Sequence, residues 1–328
     1  LLVKVLVLGG RRIIKKYLTS RLLDEDHTVD ILTRDPSRLT VGTGVVAIRC
    51  DLSNPAWLKT AGITLASYDA VFHLAYAASS DETYNRAVTT ESVLSLVRAL
   101  DALGDDGPQH LVYLGSMVVF GARPPARVDE STPRVADTLY AANKLDASRA
   151  VLDHAGSYLA TVLHPTGVYD MERSKRILSY TELLESRYIV TTRGARGTTN
   201  IVHADDVAAA CVQALDRPRE PRSAEYIING ESLSYAEWFA SLEQWIGVAE
   251  FSRVPEPLGP LARLIPPAIR RRARLRLPSR LPEYKEAAFE QVVEFDSSKA
   301  AAELGFRPSR LFSDLCATRR GSGAQADQ

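Results

Sequence analysis

The sequence predicts an α/β protein: a doubly wound parallel sheet with a smaller carboxy-terminal lobe for a substrate. Three observations carry this. Short β-branched apolar runs alternate with helical patterns through the first half of the chain. The first run closes on Gly9-Gly10. Beyond Pro165 the alternation thins into proline-rich sequence. A length of 328 residues holds one large domain with an appended lobe, and 45% hydrophobic with 24% charged residues excludes disordered and fibrous architectures.

Residues 3–8 (VKVLVL) form a continuous apolar run, expected as a strand buried on both faces. In residues 13–23, Ile14, Leu18, Leu22 and Leu23 fall on one side of a helix. A second strand over 27–33 (HTVDILT) ends at Arg34, and a third over 45–48 runs into Cys50-Asp51-Leu52. The run 70–75 (AVFHLA) is a fourth strand, followed by a long helix through residue 103. A fifth over 110–115 ends at Ser116-Met117, residues 138–154 are amphipathic and helical, and a sixth strand over 158–163 stops at His164-Pro165. Further on, 188–192 and 226–228 read as short strands and 235–246 as a helix. Residues 254–282 carry seven prolines and a basic run at 270–276, expected as short helices and loops, and 321–328 as a disordered tail. This organisation gives a sheet domain over 1–165, with returning elements near 198–222 and 291–315. The lobe takes 166–197 and 223–290.

Forty basic and forty acidic side chains give a formal net charge of +0, against the surplus positive charge of a nucleic-acid binder. No apolar run approaches the ~20 residues that cross a bilayer, and no secretory pattern precedes the first strand. The segment 258–277 mixes apolar residues with arginines, but Pro266-Pro267 interrupt it, so a lobe helix is expected before a membrane-surface one. Cys50, Cys211 and Cys316 are far apart, and the six histidines show no metal-ligand spacing. The expectation is a cytoplasmic protein with no metal, no disulfide, no nucleic-acid partner and no membrane contact.

The chemistry concentrates in Tyr140-Ala-Ala-Asn-Lys144, downstream of Ser116 at a strand end. Helical residues i and i+4 share a face, so phenol and ammonium project together. A phenol with pKa ~10 is a poor acid or base at neutral pH, and an ammonium within ~4–6 Å stabilises its phenolate. A serine hydroxyl at a neighbouring strand end can hold a substrate oxygen against that phenol. This set suits proton transfer at a carbonyl or alcohol oxygen while hydride moves at the attached carbon.

These segments resemble the extended short-chain dehydrogenases/reductases, the NAD-dependent epimerase/dehydratase family, over nearly the whole chain. Val5–Gly10 resembles the family's first strand and turn, Asp51-Leu52 the adenine-capping pair, and Asp69–Ala75 the fourth strand. Asn85 is similar to the asparagine opening the next helix, and Val112–Gly121 to the serine strand. His164-Pro-Thr-Gly-Val-Tyr169, Ile201–Val207 and Leu304-Gly-Phe-Arg-Pro308 are similar to later hallmarks. The resemblance implies a Rossmann-type fold and Ser116, Tyr140 and Lys144 as the catalytic set. It also implies cofactor contacts at Gly9, Asp51, Leu52, Ala75, Lys144 and His164, and a homodimer through the helices carrying 85–103 and 140–154. In the family pattern His203 is structural, and His73, within an apolar strand, is expected to be a core histidine.

Departures from the pattern sharpen the expectation. The family turn GxxGxxG reads here Gly9-Gly10-Arg11-Arg12-Ile13-Ile14-Lys15, with Arg12 and Lys15 at the second and third glycine positions. Glycine there permits close pyrophosphate approach and close helix–strand packing. Lys15 is therefore expected to push the helix outward or to extend toward solvent or ligand. On one reading Arg11 and Arg12 replace backbone contacts with charge; on the other, the crowded turn has lost the cofactor. Arg34, where NAD-preferring members tend to carry an acid, favours NADP(H) over NAD(H). Met117-Val118 after Ser116 lack the acid pair of the family's dehydratases, and Thr199 stands where nucleotide-sugar epimerases place an arginine. The expected function is NAD(P)-dependent reduction of a carbonyl, or oxidation of a secondary alcohol, on a non-nucleotide small molecule. Sugar epimerisation is the alternative, as is a cofactor-independent isomerase, lyase or cyclase. A non-enzymatic RNA-binding relative ranks last.

Overall fold

The computed structural model describes residues 3–9, 12–39, 43–77, 79–153, 156, 158–171, 188–190, 197–246, 252–254 and 291–323. In chain order the strands are β1 (Lys4–Leu8), β2 (Thr28–Thr33), β3 (Val45–Arg49), β4 (Ala70–His73), β5 (His110–Leu114), β6 (Arg127–Val128) and β7 (Leu159–Pro165). They continue as β8 (Gly167–Tyr169), β9 (Tyr188–Val190), β10 (Thr198–His203), β11 (Ser223–Ile228), β12 (Glu231–Ser234), β13 (Ser252–Val254) and β14 (Glu294–Phe295). The α-helices are α1 (Arg12–Asp24), α2 (Trp57–Thr60), α3 (Glu82–Arg86), α4 (Ser92–Leu103), α5 (Leu139–Leu152), α6 (Ala204–Gln213), α7 (Tyr235–Ile246), α8 (Ser298–Glu303) and α9 (Phe312–Gly323).

Seven strands form the main sheet in the order β11-β7-β5-β4-β1-β2-β3, and every pairing is parallel. Side chains alternate across it with the period of two that strands impose. Val5 and Val7 meet Ile14, Leu18 and Leu22 of α1 and Val207 and Cys211 of α6 on one face. Leu6 and Leu8 meet Val93, Leu96 and Leu100 of α4 and Ala147 and Val151 of α5 on the other. Strand order reverses between β1 and β4, and in open sheets of this kind the crevice outside the carboxyl ends of the strands at that reversal takes the ligand. Here the reversal places Gly9, after β1, beside Leu74 and Ala75, after β4: the Leu74 amide donates to Leu8 O at 3.0 Å.

A three-stranded sheet, β12-β10-β8, packs Tyr169, Ile201 and Leu233 against Trp238 and Leu242 of α7 and Phe312 and Cys316 of α9. Strands β13 and β9 pair in parallel, as do β14 and β6. No helix among the described residues is long and apolar enough to cross a membrane, and none of their side chains cluster as a metal site.

Two expectations need correction. Ser223–Ile228, assigned from sequence to the lobe, is the edge strand of the main sheet. Ser223 and Glu225 break its apolar run, which left the sequence signal too short. Strands β10 and β12 carry polar residues such as Thr198, Asn200 and Ser232, so alternation did not mark them. Their polar groups are satisfied internally: Thr198 Oγ1 and Asn200 Nδ2 donate to Val293 O at 2.6 and 2.9 Å, and Ser232 Oγ donates to Asn200 Oδ1 at 2.7 Å. Helix α9 continues through Gly323, into the segment expected as a disordered tail. Buried Phe312 and Cys316 anchor its start; residues 324–328, the prolines and basic run of 255–282, and the end of the 188–192 strand lie outside the described residues.

Phe312 stacks on Trp238 with ring centroids 4.1 Å apart and meets Tyr169 edge-on at 5.4 Å. Phe312→Ala is expected to cost about 3–5 kcal/mol by removing a fully buried ring. Urea titration checks it: the midpoint should fall clearly, and a shift too small to measure would mean that α9 contributes little to the fold.

Candidate active site

The site grows from the carboxyl end of β5 and the amino end of α5. Helix α5 starts at Thr138, whose Oγ1 accepts from the Ala141 amide at 3.1 Å. Ala141, Leu145, Ala147 and Val151 face the protein, and the same helix carries Tyr140 in its first turn and Lys144 one turn later. Lys144 is 2% exposed, and its Nζ donates to Leu114 O, the last residue of β5, at 2.6 Å. Gly115 and Ser116 follow directly. Ser116 is half-buried and extended, and its Oγ accepts from the Val118 amide at 3.4 Å, opening the turn Met117–Phe120.

Aromatic rings complete the surroundings. The Lys144 ammonium lies 4.7 Å from the Tyr113 ring centroid and 5.7 Å from that of Tyr76, both within cation–π range. Tyr76 also meets Tyr140, with centroids 5.9 Å apart at an interplanar angle of 60°. Tyr140 and Lys144 thus converge on one ring. The segment bearing Tyr76 is fixed by the Ala77 amide, which donates to Thr89 Oγ1 at 3.2 Å. Thr89 sits in a π-turn, Ala87–Glu91, joining α3 to α4. Thr90, in the same turn, donates to Asn143 O of α5 at 3.1 Å.

Burial sets the electrostatics. Desolvation pulls the Lys144 ammonium down to about 7. It pushes the Tyr113 phenol well above its ordinary value, and the nearby Tyr140 adds to that. His73 falls to about 3, through burial first and the Lys144 charge second, and its Nε2 pairs with Ser92 Oγ at 2.9 Å. It is a neutral core histidine, as expected.

The glycine turn is compact. Gly9 has φ +65, and a Cβ there would stand 2.5 Å from Ala75 Cβ, so no other residue fits. Gly10 and Arg11 lie outside the described residues, and Arg12 begins α1. Lys15 does not extend into solvent: it is 7% exposed, and Ile14, Leu18 and Leu22 of the same helix are buried in the core. Arg34 is exposed at the end of β2 and donates to Tyr84 OH at 2.5 Å. Asp51 accepts from the amide and hydroxyl of Ser53 at 3.0 and 2.8 Å, capping its own turn, while Leu52 and Ala75 are buried.

His164, expected to contact the cofactor, lies within the protein. It is completely buried, and its Nε2 meets Glu225 Oε2 at 3.0 Å. The ring packs under Gly115, where a Cβ would fall 2.6 Å from Nδ1. Parallel pairing of β7 with β11 brings Glu225 within reach of that ring. His203 holds a turn, as expected: its Nδ1 accepts from the Asp205 amide at 3.1 Å, capping α6. Sequence reasoning missed Tyr76, Tyr113, Glu225 and Arg134. Tyr113 sits in a motif already quoted and Tyr76 directly follows one, so both carried a faint signal. The other two meet His164 and each other only through folding.

The parallel sheet, with its strand-order reversal at the edge where Tyr140 and Lys144 meet Tyr76, is an α/β fold of the Rossmann kind. The chain belongs to the NAD dependent epimerase/dehydratase family, whose model matches residues 5–229. No curated protein matches the sequence. Among solved structures it is similar to the Bordetella bronchiseptica enzyme WbmG in complex with NAD, at 16% identity and TM-score 0.71, covering 98% of this chain and 94% of that one. It is similar to the Thermotoga maritima UDP-glucose 4-epimerase with UDP-glucose, at 15% identity and TM-score 0.71, covering 99% and 100%. The Helicobacter pylori ADP-L-glycero-D-manno-heptose-6-epimerase gives 15% identity and TM-score 0.70, covering 99% and 97%. At such identities the likeness is one of fold.

The lowered Lys144 value has a thermodynamic consequence. Below about pH 7 the ammonium is charged in both folded and unfolded chains, so its full burial penalty applies. Between about 7 and 10.5 the folded protein has released the proton while the unfolded chain still holds it, and the penalty is progressively relieved. Lys144→Met should therefore raise the melting temperature at pH 6, with the gain shrinking toward pH 10. Melting curves of both proteins across that range test this, and a gain independent of pH would contradict it.

Proposed function

We propose that the protein is a nicotinamide-dependent oxidoreductase that reduces a carbonyl, or oxidises a secondary alcohol, on a small molecule outside the nucleotide sugars. The observation that carries this reading is the convergence of Tyr140 and Lys144 on Tyr76, with Lys144 bonded to the strand end that presents Ser116. The residues suit a dinucleotide. Gly9 and Ala75 close tightly at the strand-order reversal, and the first turn of α1 holds no acidic residue but does hold Arg12 and Lys15. A helix start of that composition favours a bound anion such as a pyrophosphate. Gly9, Arg12, Asp51, Leu52 and Ala75 would hold the adenosine and phosphate portions, and Lys144 the nicotinamide ribose. When bound, the nicotinamide supplies or accepts the hydride.

The chain's own residues manage the proton. Ser116 Oγ orients the substrate oxygen. In reduction Tyr140 gives its phenolic proton to that oxygen, and in oxidation it removes the alcohol proton. Lys144 places positive charge on the same face and helps to exclude water, since it is itself desolvated. Met117 and Val118 follow Ser116 without a carboxylate, so no second acid–base pair stands there for water elimination.

Tyr140→Phe should lower turnover by at least 10³-fold while NADP⁺ affinity, read by fluorescence quenching, stays within threefold. Retained turnover within tenfold would remove Tyr140 from the mechanism. The cofactor reading favours NADP(H), because Arg34 is exposed at the end of β2 and its partner among the described residues is the neutral Tyr84 hydroxyl. Arg34→Asp is expected to invert the preference toward NADH; equal Michaelis constants before and after would count against it. Epimerisation of a nucleotide sugar is the second reading, favoured by the solved relatives named for that reaction. Thr199, where such epimerases place an arginine, is buried and points the other way. Proton NMR after incubation with UDP-glucose and NAD⁺, against a panel of ketones with NADPH, separates the two.

A further inference from the structure

Glu225 lies on the edge strand β11, outside the catalytic set, yet its two carboxylate oxygens reach the supports of both catalytic segments. Oε2 pairs with His164 Nε2 at 3.0 Å, and Oε1 accepts from Arg134 Nη2 at 2.7 Å. His164 packs directly beneath Gly115, the residue before Ser116. Arg134 also donates to Glu130 O at 3.0 Å and to Thr132 O, and its guanidinium lies 4.2 Å from the Phe120 ring centroid. It therefore grips the loop between the Ser116 turn and α5, the loop that delivers Tyr140. A second tie reinforces the first: the Ile227 amide donates to Glu130 Oε1 at 2.8 Å.

The charge states are defined. Burial alone would raise the Glu225 carboxyl, but the hydrogen bonds from His164 and Arg134 outweigh it and hold it at about 2. Burial lowers His164, against the opposing pull of Glu225, so the imidazole is neutral. A carboxylate can only accept, so the neutral ring carries its proton on Nε2 and leaves Nδ1 facing Gly115. No hydrogen bond reaches Nδ1 among the described residues. One anion thus fixes the tautomer and orientation of a ring under Ser116 and, through its other oxygen, the loop leading to Tyr140.

We infer that Glu225 is a positioning residue that sets the spacing between Ser116 and Tyr140 through His164 on one side and Arg134 on the other. This rests on the reading of Ser116 and Tyr140 given above. It also reassigns His164 from a cofactor contact to a support. Glutamine at 225 has one acceptor in place of two and satisfies either Arg134 or the His164 N–H, not both.

The experiment is hydrogen exchange on the full chain, followed by mass spectrometry of peptides covering 113–121 and 122–140, beside kinetics and cofactor binding. Glu225→Gln should speed exchange in both peptides, His164→Gln mainly in the first, and Arg134→Gln mainly in the second, with β1 and β2 unchanged. Turnover in Glu225→Gln should fall about 10- to 100-fold, the scale of a misplaced catalytic group, with KM and NADP⁺ affinity within twofold. Exchange that rises evenly over the whole chain, or faster exchange in these peptides with unaltered turnover, overturns the inference. So does weaker NADP⁺ binding in His164→Gln, which would return that residue to the cofactor. Exchange does not depend on chemistry: if Tyr140→Phe stays active while the split exchange pattern holds, the catalytic reading fails and the mechanical link stands.

Discussion

A lysine ammonium removed from water is the constraint around which this fold is arranged. Lys144 has no carboxylate partner among the described residues; its neighbours are the Leu114 carbonyl and the faces of Tyr113 and Tyr76. A buried cation held by one carbonyl and two π faces is costly, and burial expresses that cost by drawing the proton off toward neutrality. Such an arrangement exists only if three elements meet: β5 must end at Leu114, the chain after β4 must bring Tyr76, and α5 must lie across both. The parallel register does this, pairing β4 with β5 from Ala70↔His110 to His73↔Tyr113. The cost falls at the carboxyl edge of the sheet, where the ligand crevice opens.

Elsewhere charges are handled differently, and the contrast is informative. At the junction with the smaller sheet, Asp205 accepts from Arg21 at 2.7 Å and from Arg310 at 2.8 Å, and the two guanidinium groups overcome its desolvation to keep it ionised. Asp206 accepts from the Ser309 amide and hydroxyl and from the Arg310 amide at 2.8–3.1 Å. Tyr17 reaches Asp170 at 3.1 Å and packs on His203. These groups are mutually satisfied, which suits rigid support. Lys144 is held by weaker partners, which suits a charge that must interact with something that comes and goes.

The architecture was readable in the sequence because parallel strands buried on both faces leave continuous apolar runs, as β1, β4 and β5 do, and because even β2, which carries Asp30, and the part-exposed edge strand β3 keep short β-branched runs. The shared helix face of Tyr140 and Lys144 was readable because i, i+4 spacing is a local property of a helix. What the sequence hid are relations between distant segments. Glu225 reaches His164 only because β11 joins the sheet beside β7, and β11 is too interrupted by polar residues to announce itself. Likewise, β10 and β12 satisfy their polar side chains internally, so they lack alternation. Nor could the sequence show that the His164 ring lies beneath Gly115. Lys15 was expected to push α1 outward or to extend toward solvent or ligand; it is buried, with Ile14, Leu18 and Leu22 of the same helix in the core.

That accommodation bears on how the turn can work. Glycines in such a turn bring backbone N–H groups to a pyrophosphate by close approach, a mode that depends on shape and hardly on salt. Here Gly9 keeps its positive φ and its contact with Ala75, so the first bend is preserved. The later positions carry Arg12 and a buried Lys15 at a helix start with no acidic residue in its first turn. Two glycine positions of the family turn thus carry basic residues at a helix end whose macrodipole favours an anion.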